Sequence, residues 1–507
     1  MAMRNILLVL GNMFLLSVFF IKISVAQFQA YEITIDTEGR SIFGDSMEDI
    51  NGNIIFCGVE DNLPYYEITQ AFVLKVTFDG DTLFRVFNFG NDTMCRLGQI
   101  LIDDNGDYLF FGAIGKQDSV YSFKEMKNLW VLKLDGNLDV VWDKRFEVAG
   151  DYWNPGYRVC SSGQNIYAAG DVDWWDGYHR KNFFMAKFDL DGDTIKTNYP
   201  FIDDPMQFPL GGVEGGVMER PNGQEGMMVI GGGFVVTDNF GIIEVDSNLD
   251  YTFTPLTYPN NYSFSTPSIK RLTNSSYLWA SNMHITYQGN EDIIVAKLNN
   301  DHQFTDHVIY GRTDTADFLA QRRGIDFVDP NNIFVASKNN HFSSDPIDLK
   351  VSISLLDSSL NLKGWKWFGG DMNYYISNIT ATQDGGCVIA GTVCDWQNNE
   401  TGDVDLWVKK IYPEDIITHA EDTPDPNDSD FAVFPNPGRD NLTIRTAREN
   451  LVLKLFDNGG QLVFTTDITN LPVHKANTQS LAKGNYLYQV WDKNKDILIG
   501  AGNWIKN

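Results

Sequence analysis

Side chains able to do chemistry are plentiful in this chain of 507 residues, but few are spaced for catalysis. The seven histidines are His179, His284, His302, His307, His341, His419 and His474. They form no HExxH pair, and no Gly-x-Ser-x-Gly elbow occurs. His302 and His307 fall in or beside a strand pattern and read as solvated surface residues. Asp189-Leu190-Asp191-Gly192-Asp193 has the look of a calcium loop. It lacks the acidic twelfth position of an EF-hand, and a hairpin turn explains it without metal. No metal and no cofactor is expected. Carboxylates are too numerous, at 67, for any pair at glycosidase spacing to stand out.

Aromatic clusters are more specific. Trp174-Trp175-Asp176-Gly177-Tyr178-His179, Asp395-Trp396 and Trp153 with its neighbour Tyr152 combine flat apolar rings with polar edges. Such surfaces suit sugars or peptide segments. The candidate ligand-binding residues are therefore Trp153, Trp174, Trp175, Asp176, Tyr178, His179, Asp395 and Trp396. The competing expectation is that these rings pack sheet interfaces and stiffen long loops. A net charge of −28 repels a phosphate backbone, and no basic stripe interrupts it, so nucleic acid is not expected as a partner. Of the five cysteines, none lies in a CxxC pair; Cys387 and Cys394 are close enough in sequence to bridge locally or to reach a neighbour.

The elements that must carry these residues repeat. Second strands end in small residues at Gly58, Gly112, Gly170, Gly231, Ala280, Ala336 and Gly391, every 49 to 61 positions. Third strands carry a polar residue at Lys75, Lys133, Lys187, Glu244, Lys297, Ser354 and Lys409, every 53 to 58 positions. Two markers agree on seven units. Turns such as Asn51-Gly52, Asp79-Gly80 and Asp191-Gly192 separate short strands. Four strands per unit is the requirement of a β-propeller blade, and the small residues fit where backbones crowd towards the axis. The seventh unit stops at Pro413 without a fourth strand, and Tyr31 to Asp36 has the alternation of the missing one. The expected fold is thus all-β: a seven-bladed propeller of four-stranded blades over 27–412, its N-terminal strand closing the last blade. The loops between second and third strands are long (Val59 to Ala71, Ala113 to Leu129, Asp171 to Phe183, Ser337 to Lys350, Thr392 to Leu406) and gather on one face.

Two resemblances follow from these residues. The repeat, with its Gly-ending second strand and Lys-bearing third strand, resembles the blades of secreted bacterial propellers, which share no single activity. At the other end, Phe434-Pro435-Asn436-Pro437, then Leu455-Phe456-Asp457 with Gly460, then Gly484-Asn485-Tyr486, resembles the C-terminal sorting domain of the type IX (Por) secretion system. That resemblance spans 431–507. It implies an immunoglobulin-like sandwich and an address carried by Phe434, Pro435, Asn436, Pro437, Gly460, Gly484 and Tyr486. It also implies the secretion machinery as a partner. Arg4, the apolar run Ile6 to Ile21 and Ser24-Val25-Ala26 read as a signal peptide over 1–26, leaving no transmembrane helix after cleavage. Residues 413–430, rich in acid and proline, read as an extended linker.

The expected product is a secreted or outer-surface protein whose propeller face binds a glycan or a protein. An extracellular polysaccharide hydrolase or lyase, and a structural spacer in a surface assembly, are the alternatives.

Overall fold

The computed structural model describes residues 30–37, 39–61, 69–90, 93–116, 128–148, 158–175, 179–198, 216–231, 241–256, 263–284, 291–311, 316–339, 349–369, 372–394, 404–417, 431–434, 441–446, 450–457, 459–468, 473–493 and 497–506. The chain divides into two compact units, residues 1–362 with 367–413 and residues 363–366 with 414–507.

Among the described residues of the larger unit, seven antiparallel sheets follow one another. Sheet 1 is Arg40–Glu48, Ile54–Asp61, Thr69–Val76 and Thr82–Phe87. Sheet 2 is Thr93–Ile102, Tyr108–Lys116, Asn128–Leu134 and Val140–Glu147. Sheet 3 is Arg158–Ser162, Asn165–Trp175, His179–Asp189 and Thr194–Asn198. Sheet 4 is Val217–Glu219, Gly226–Gly231, Gly241–Asp246 and Tyr251–Pro255. Sheet 5 is Ser263–Thr273, Ser276–His284, Glu291–Asn299 and Phe304–Tyr310. In sheet 6 the first strand is split into Asp317–Leu319 and Ile325–Asp326, both on Ile333–Asn339, followed by Val351–Leu356 and Leu362–Phe368. Sheet 7 is Asn373–Ala381, Cys387–Cys394 and Asp405–Ile411, and its fourth strand is the N-terminal Glu32–Ile35. That strand pairs Glu32 with Lys409 and Ile35 with Leu406, so both ends of the propeller sequence meet in one sheet.

First strands of successive sheets adjoin each other in a cycle, and sheet 7 adjoins sheet 1. Burial falls outward from that ring. The second strand Tyr108–Lys116 is buried along its first seven residues, whereas the outer strand Val140–Glu147 alternates between half-buried and exposed. This is the pattern of a β-propeller. The core lies between neighbouring sheets: Cys57 and Val73 against Phe110 and Trp130, Phe111 and Val131 against Ala168 and Phe188, Phe56 and Leu74 against Val388 and Val408.

Local chemistry sets the strand ends. The four-residue turns after Asp49, Asp103, Asp135, Asp246 and Asp357 share one device. In each, the aspartate Oδ1 accepts the backbone N–H groups two and four residues on. The marker glycines have a different cause from the expected crowding at the axis. A Cβ at Gly112 would lie 1.9 Å from the carbonyl oxygen of Arg96, and one at Gly391 would lie 2.0 Å from that of Tyr375. Each faces a β-bulge in its own first strand, at Leu97/Gln99 and Ile376/Asn378, which pushes backbone over the glycine.

The region expected to be an extended linker begins as a short helix, Pro413–Ile417, with Glu414 and Asp415 in its first turn and Ile416 buried. Proline fits a first helical position, and acids favour a helix N-terminus, which is why Pro413 starts a helix as it stops the strand. In the smaller unit, a three-stranded sheet (Phe431–Phe434, Asn441–Thr446, Val473–Asn477) accompanies a four-stranded one (Leu462–Ile468, Leu451–Phe456, Gly484–Asp492, Ile497–Lys506). Leu442, Ile444, Leu453, Leu455, Val490 and Trp504 fill the space between them.

Candidate functional site

The ring of first strands encloses a cavity of about 480 Å³ walled by six of the seven sheets. Its wall is mixed. Gln99, Ser161 and Ser268 alternate with Ile100, Val159, Met218, Ile269 and Ile325, as strand periodicity requires. Five basic side chains, Arg158, Lys270, Arg271, Arg322 and Arg323, line it beside three acids, Asp45, Glu219 and Asp326. A smaller cavity of about 50 Å³ adjoins, lined by Arg96 together with the same Arg158 and Arg322. A basic patch therefore does interrupt the acidic balance, contrary to the expectation from the sequence. It was hidden because its members are brought together only by ring closure.

Part of this charge is structural. Arg323 of sheet 6 donates Nη2–H to Asp45 Oδ1 of sheet 1 at 2.7 Å and Nη1–H to the Ser46 carbonyl at 3.0 Å. Asp45 Oδ2 accepts the Ile100 N–H of sheet 2 at 3.1 Å. Burial raises the Asp45 pKa against the opposing pull of Arg323, and Arg323 itself is raised: burial disfavours its charge, but Asp45 and Asp326 outweigh that. Lys270 of sheet 5 donates to Asp326 and to the Phe327 carbonyl of sheet 6, and Asp326 accepts the Ala381 N–H of sheet 7 at 2.8 Å. Arg271 donates to the Glu219 carbonyl at 2.8 Å. These contacts lace sheets together across the wall.

The lysines that marked the repeat also serve as ties. Lys75 reaches the Gly136 carbonyl of sheet 2 at 2.8 Å, Lys187 reaches Glu225 of sheet 4 at 2.9 Å, and Lys133 joins Asp103 of its own sheet at 2.8 Å. Where the repeat has Glu244 instead, the charge partner is reversed: His302 Nε2 lies 2.9 Å from Glu244 Oε1, and Arg220 lies 3.3 Å from Oε2. His302 is thus buried, not the solvated residue expected, because its turn puts it at a positive φ of 59° beneath sheet 4. His307 is exposed, as expected. Asp189 Oδ1 of the calcium-like loop is engaged by the Asp193 N–H at 2.8 Å, the hairpin geometry.

Of the expected binding residues, Trp153, Asp176, Tyr178, Asp395 and Trp396 lie outside the described residues. Trp174, Trp175 and His179 are not in a long loop. The strands Asn165–Trp175 and His179–Asp189 stay paired to Trp175↔His179, so the span from Asp171 to Phe183 is largely a hairpin. Aromatic-rich sequence favours that continued pairing. The hairpin extends from the end of sheet 3 at which Arg158 begins the first strand, since Arg158 pairs with Ala169 and the hairpin continues beyond it. Cys387 and Cys394 occupy opposite ends of one strand, roughly 23 Å apart at the usual rise per residue, so they cannot bridge to each other. All five cysteines are buried.

Arg96, Arg158 and Arg322 were missed as site residues. One signal existed: Arg96 and Arg158 fall in the opening half of first strands and the pair Arg322-Arg323 in the break of another, in a chain with only 39 basic residues.

In the smaller unit, Gly460 closes an Asp457 turn at φ 77°, and Gly484 opens a strand opposite Lys506. Buried Tyr486 donates to the Ala482 carbonyl at 2.7 Å and packs 5.9 Å from Trp504. Phe434 pairs with Thr443, while Pro435, Asn436 and Pro437 lie outside the described residues. No described helix is long and apolar enough to cross a membrane.

No curated protein matches the sequence. Among solved structures, a protein of unknown function from Dyadobacter fermentans aligns at 10% identity and TM-score 0.39, over 62% of this chain and 93% of its own. PorZ, a surface component of the type IX secretion system of Porphyromonas gingivalis, aligns at 12% and 0.23, over 92% and 81%. The endosialidase of phage phi92 aligns at 11% and 0.42, over 90% and 77%. Residues 432–499 match the family described as a secretion system C-terminal sorting domain. The chain is therefore a β-propeller protein that carries a type IX sorting domain at its C-terminus and is exported to the cell surface or beyond.

Proposed function

We propose that this exported propeller is a binding protein that takes a glycan or a protein at the face from which its central cavity opens. The observation that carries this reading is the cavity of about 480 Å³ with its convergent polar groups, a size and character suited to one small ligand or a chain end. Trp174, Trp175 and His179 belong to a hairpin reaching from the same end of sheet 3, and Trp153, Asp176, Tyr178, Asp395 and Trp396 are the further contacts proposed there. The sorting domain, with Phe434, Pro435, Asn436, Pro437, Gly460, Gly484 and Tyr486, is proposed to be the part that engages the secretion machinery.

A second reading, a polysaccharide hydrolase or lyase, is favoured by Glu291. Burial raises the pKa of its carboxyl to about 7, the range of a general acid. Glu291 is not among the residues lining the cavity.

A glycan and polysaccharide array probed with the exported chain, read both for retention and for released sugar, tests both readings. Retention without release supports binding. Released sugar, lost in Glu291→Gln, moves the enzyme reading ahead. Silence on both, with capture of a defined protein partner, leaves protein binding; silence on all three sinks the proposal.

A further inference from the structure

Within the binding reading above, and resting on it, we propose that the channel recognises the carboxylate of an acidic sugar, held at the junction of the two cavities by Arg158 and Arg322. These two side chains line both cavities, and Arg96 joins them in the smaller one. Arg158 is 5% exposed and Arg322 is exposed, so one guanidinium is fixed in the wall while the other faces solvent.

Three features select the ligand. The first is charge: the larger cavity holds five cations against three acids in a chain of net charge −28, so positive potential is concentrated here and nowhere implied by composition. A guanidinium has five N–H donors in a planar fork, so an arginine already engaged with protein keeps donors for a carboxylate. The second is Glu219, the exposed carboxylate of the same wall. A carboxylate repels a polyanion but accepts hydrogen bonds from hydroxyls, which a sugar supplies in number and sulfate does not. The third is the apolar part of the wall, Ile100, Val159, Met218, Ile269 and Ile325, which suits the C–H face of a pyranose ring. Together these point to a ligand with one negative group among several hydroxyls.

The test is calorimetric titration of the full exported chain with galacturonate, glucuronate and N-acetylneuraminate trisaccharides, each paired with its methyl ester. Esterification removes the charge and keeps the sugar. At least one acid is expected to bind, its ester about tenfold more weakly or worse. Arg158→Gln and Arg322→Gln should each weaken the acid about tenfold and narrow the gap between the acid and its ester. Because buried Arg158→Gln can fail to fold, exposed Arg322→Gln and the acid–ester comparison on the parent protein stand independently. Equal affinity for acid and ester, or acid binding indifferent to Arg322→Gln, overturns the inference. So does inorganic phosphate displacing every acid at the affinity of the sugar itself, which would leave a plain anion site. If neutral glycans or a protein are retained on the array while no acid binds, the binding reading stands and the inference falls. If nothing is retained, both fall.

Discussion

Replacing Arg323 with methionine tests the claim that charge across the channel laces the ring. The guanidinium ties sheet 6 to sheet 1, its partner Asp45 being 2% exposed and Arg323 27%. Substitution removes the 2.7 Å bond to Asp45 and the 3.0 Å bond to the Ser46 carbonyl. Breaking a buried ion pair costs about 3–5 kcal/mol when it strands a charge. The partial exposure of Arg323, and the Ile100 N–H that Asp45 keeps, reduce the expectation to about 2–4 kcal/mol. The loss should also depend on pH. In the parent, burial lifts the Asp45 pKa above its ordinary 3.8, so the fold holds a proton that the unfolded chain has released, and stability falls as pH rises through that window. Without Arg323 the pKa rises further and the window widens upward. The deficit of the variant should be smallest near an acid pH of about 4 and should grow towards neutrality. Urea denaturation followed by tryptophan fluorescence across that range measures it, and Asp45→Leu in the Arg323→Met background should recover part of the loss. A deficit under about 0.5 kcal/mol, or one that does not grow with pH, would refute the reasoning.

Gly112→Ala and Gly391→Ala should each destabilise by about 2–4 kcal/mol, since the added methyl meets backbone oxygen at 1.9 and 2.0 Å; thermal unfolding reads the loss, and a neutral outcome would show that the bulges relax freely. Lys133→Met breaks a pair whose side chains are 11% and 8% exposed, whereas Lys187→Met breaks one in which Glu225 is 39% exposed, so the first should cost more in parallel urea titrations, by about 1 kcal/mol. Glu291→Gln should stabilise the fold above neutral pH and have little effect near pH 4. Its carboxyl, raised to about 7 by burial, makes stability fall as pH climbs from 4.5 to about 7, and the amide removes that dependence.

The sheet order was legible because each unit repeats two local signals, a small residue ending the second strand and a polar residue in the third. Each reflects a contact that recurs among the units: backbone crowding at a bulge for Gly112 and Gly391, and a tie to a neighbouring sheet for Lys75 and Lys187. Glu32–Ile35 was recognisable as the missing strand by its alternation and because the seventh unit stops one strand short. The channel was not. Arg96, Arg158 and Arg322 stand far apart in sequence and share a wall only because seven sheets return to one axis, a relation no local window contains. His302 misled in the opposite direction. A polar residue in a turn reads as solvated, and only the neighbouring sheet's Glu244 reveals that it is buried.

The seam in sheet 7 has a consequence for how the chain acquires its shape. Glu32 and Trp407 hydrogen bond across 375 positions, so the last sheet waits for nearly the whole propeller sequence to be available. Closing so long a loop is an entropic cost met before any seam contact forms, which makes this pairing a late step in folding. Until then the edge of Asp405–Ile411 stays open. The ring can therefore be sealed only where both ends of the propeller sequence are present together.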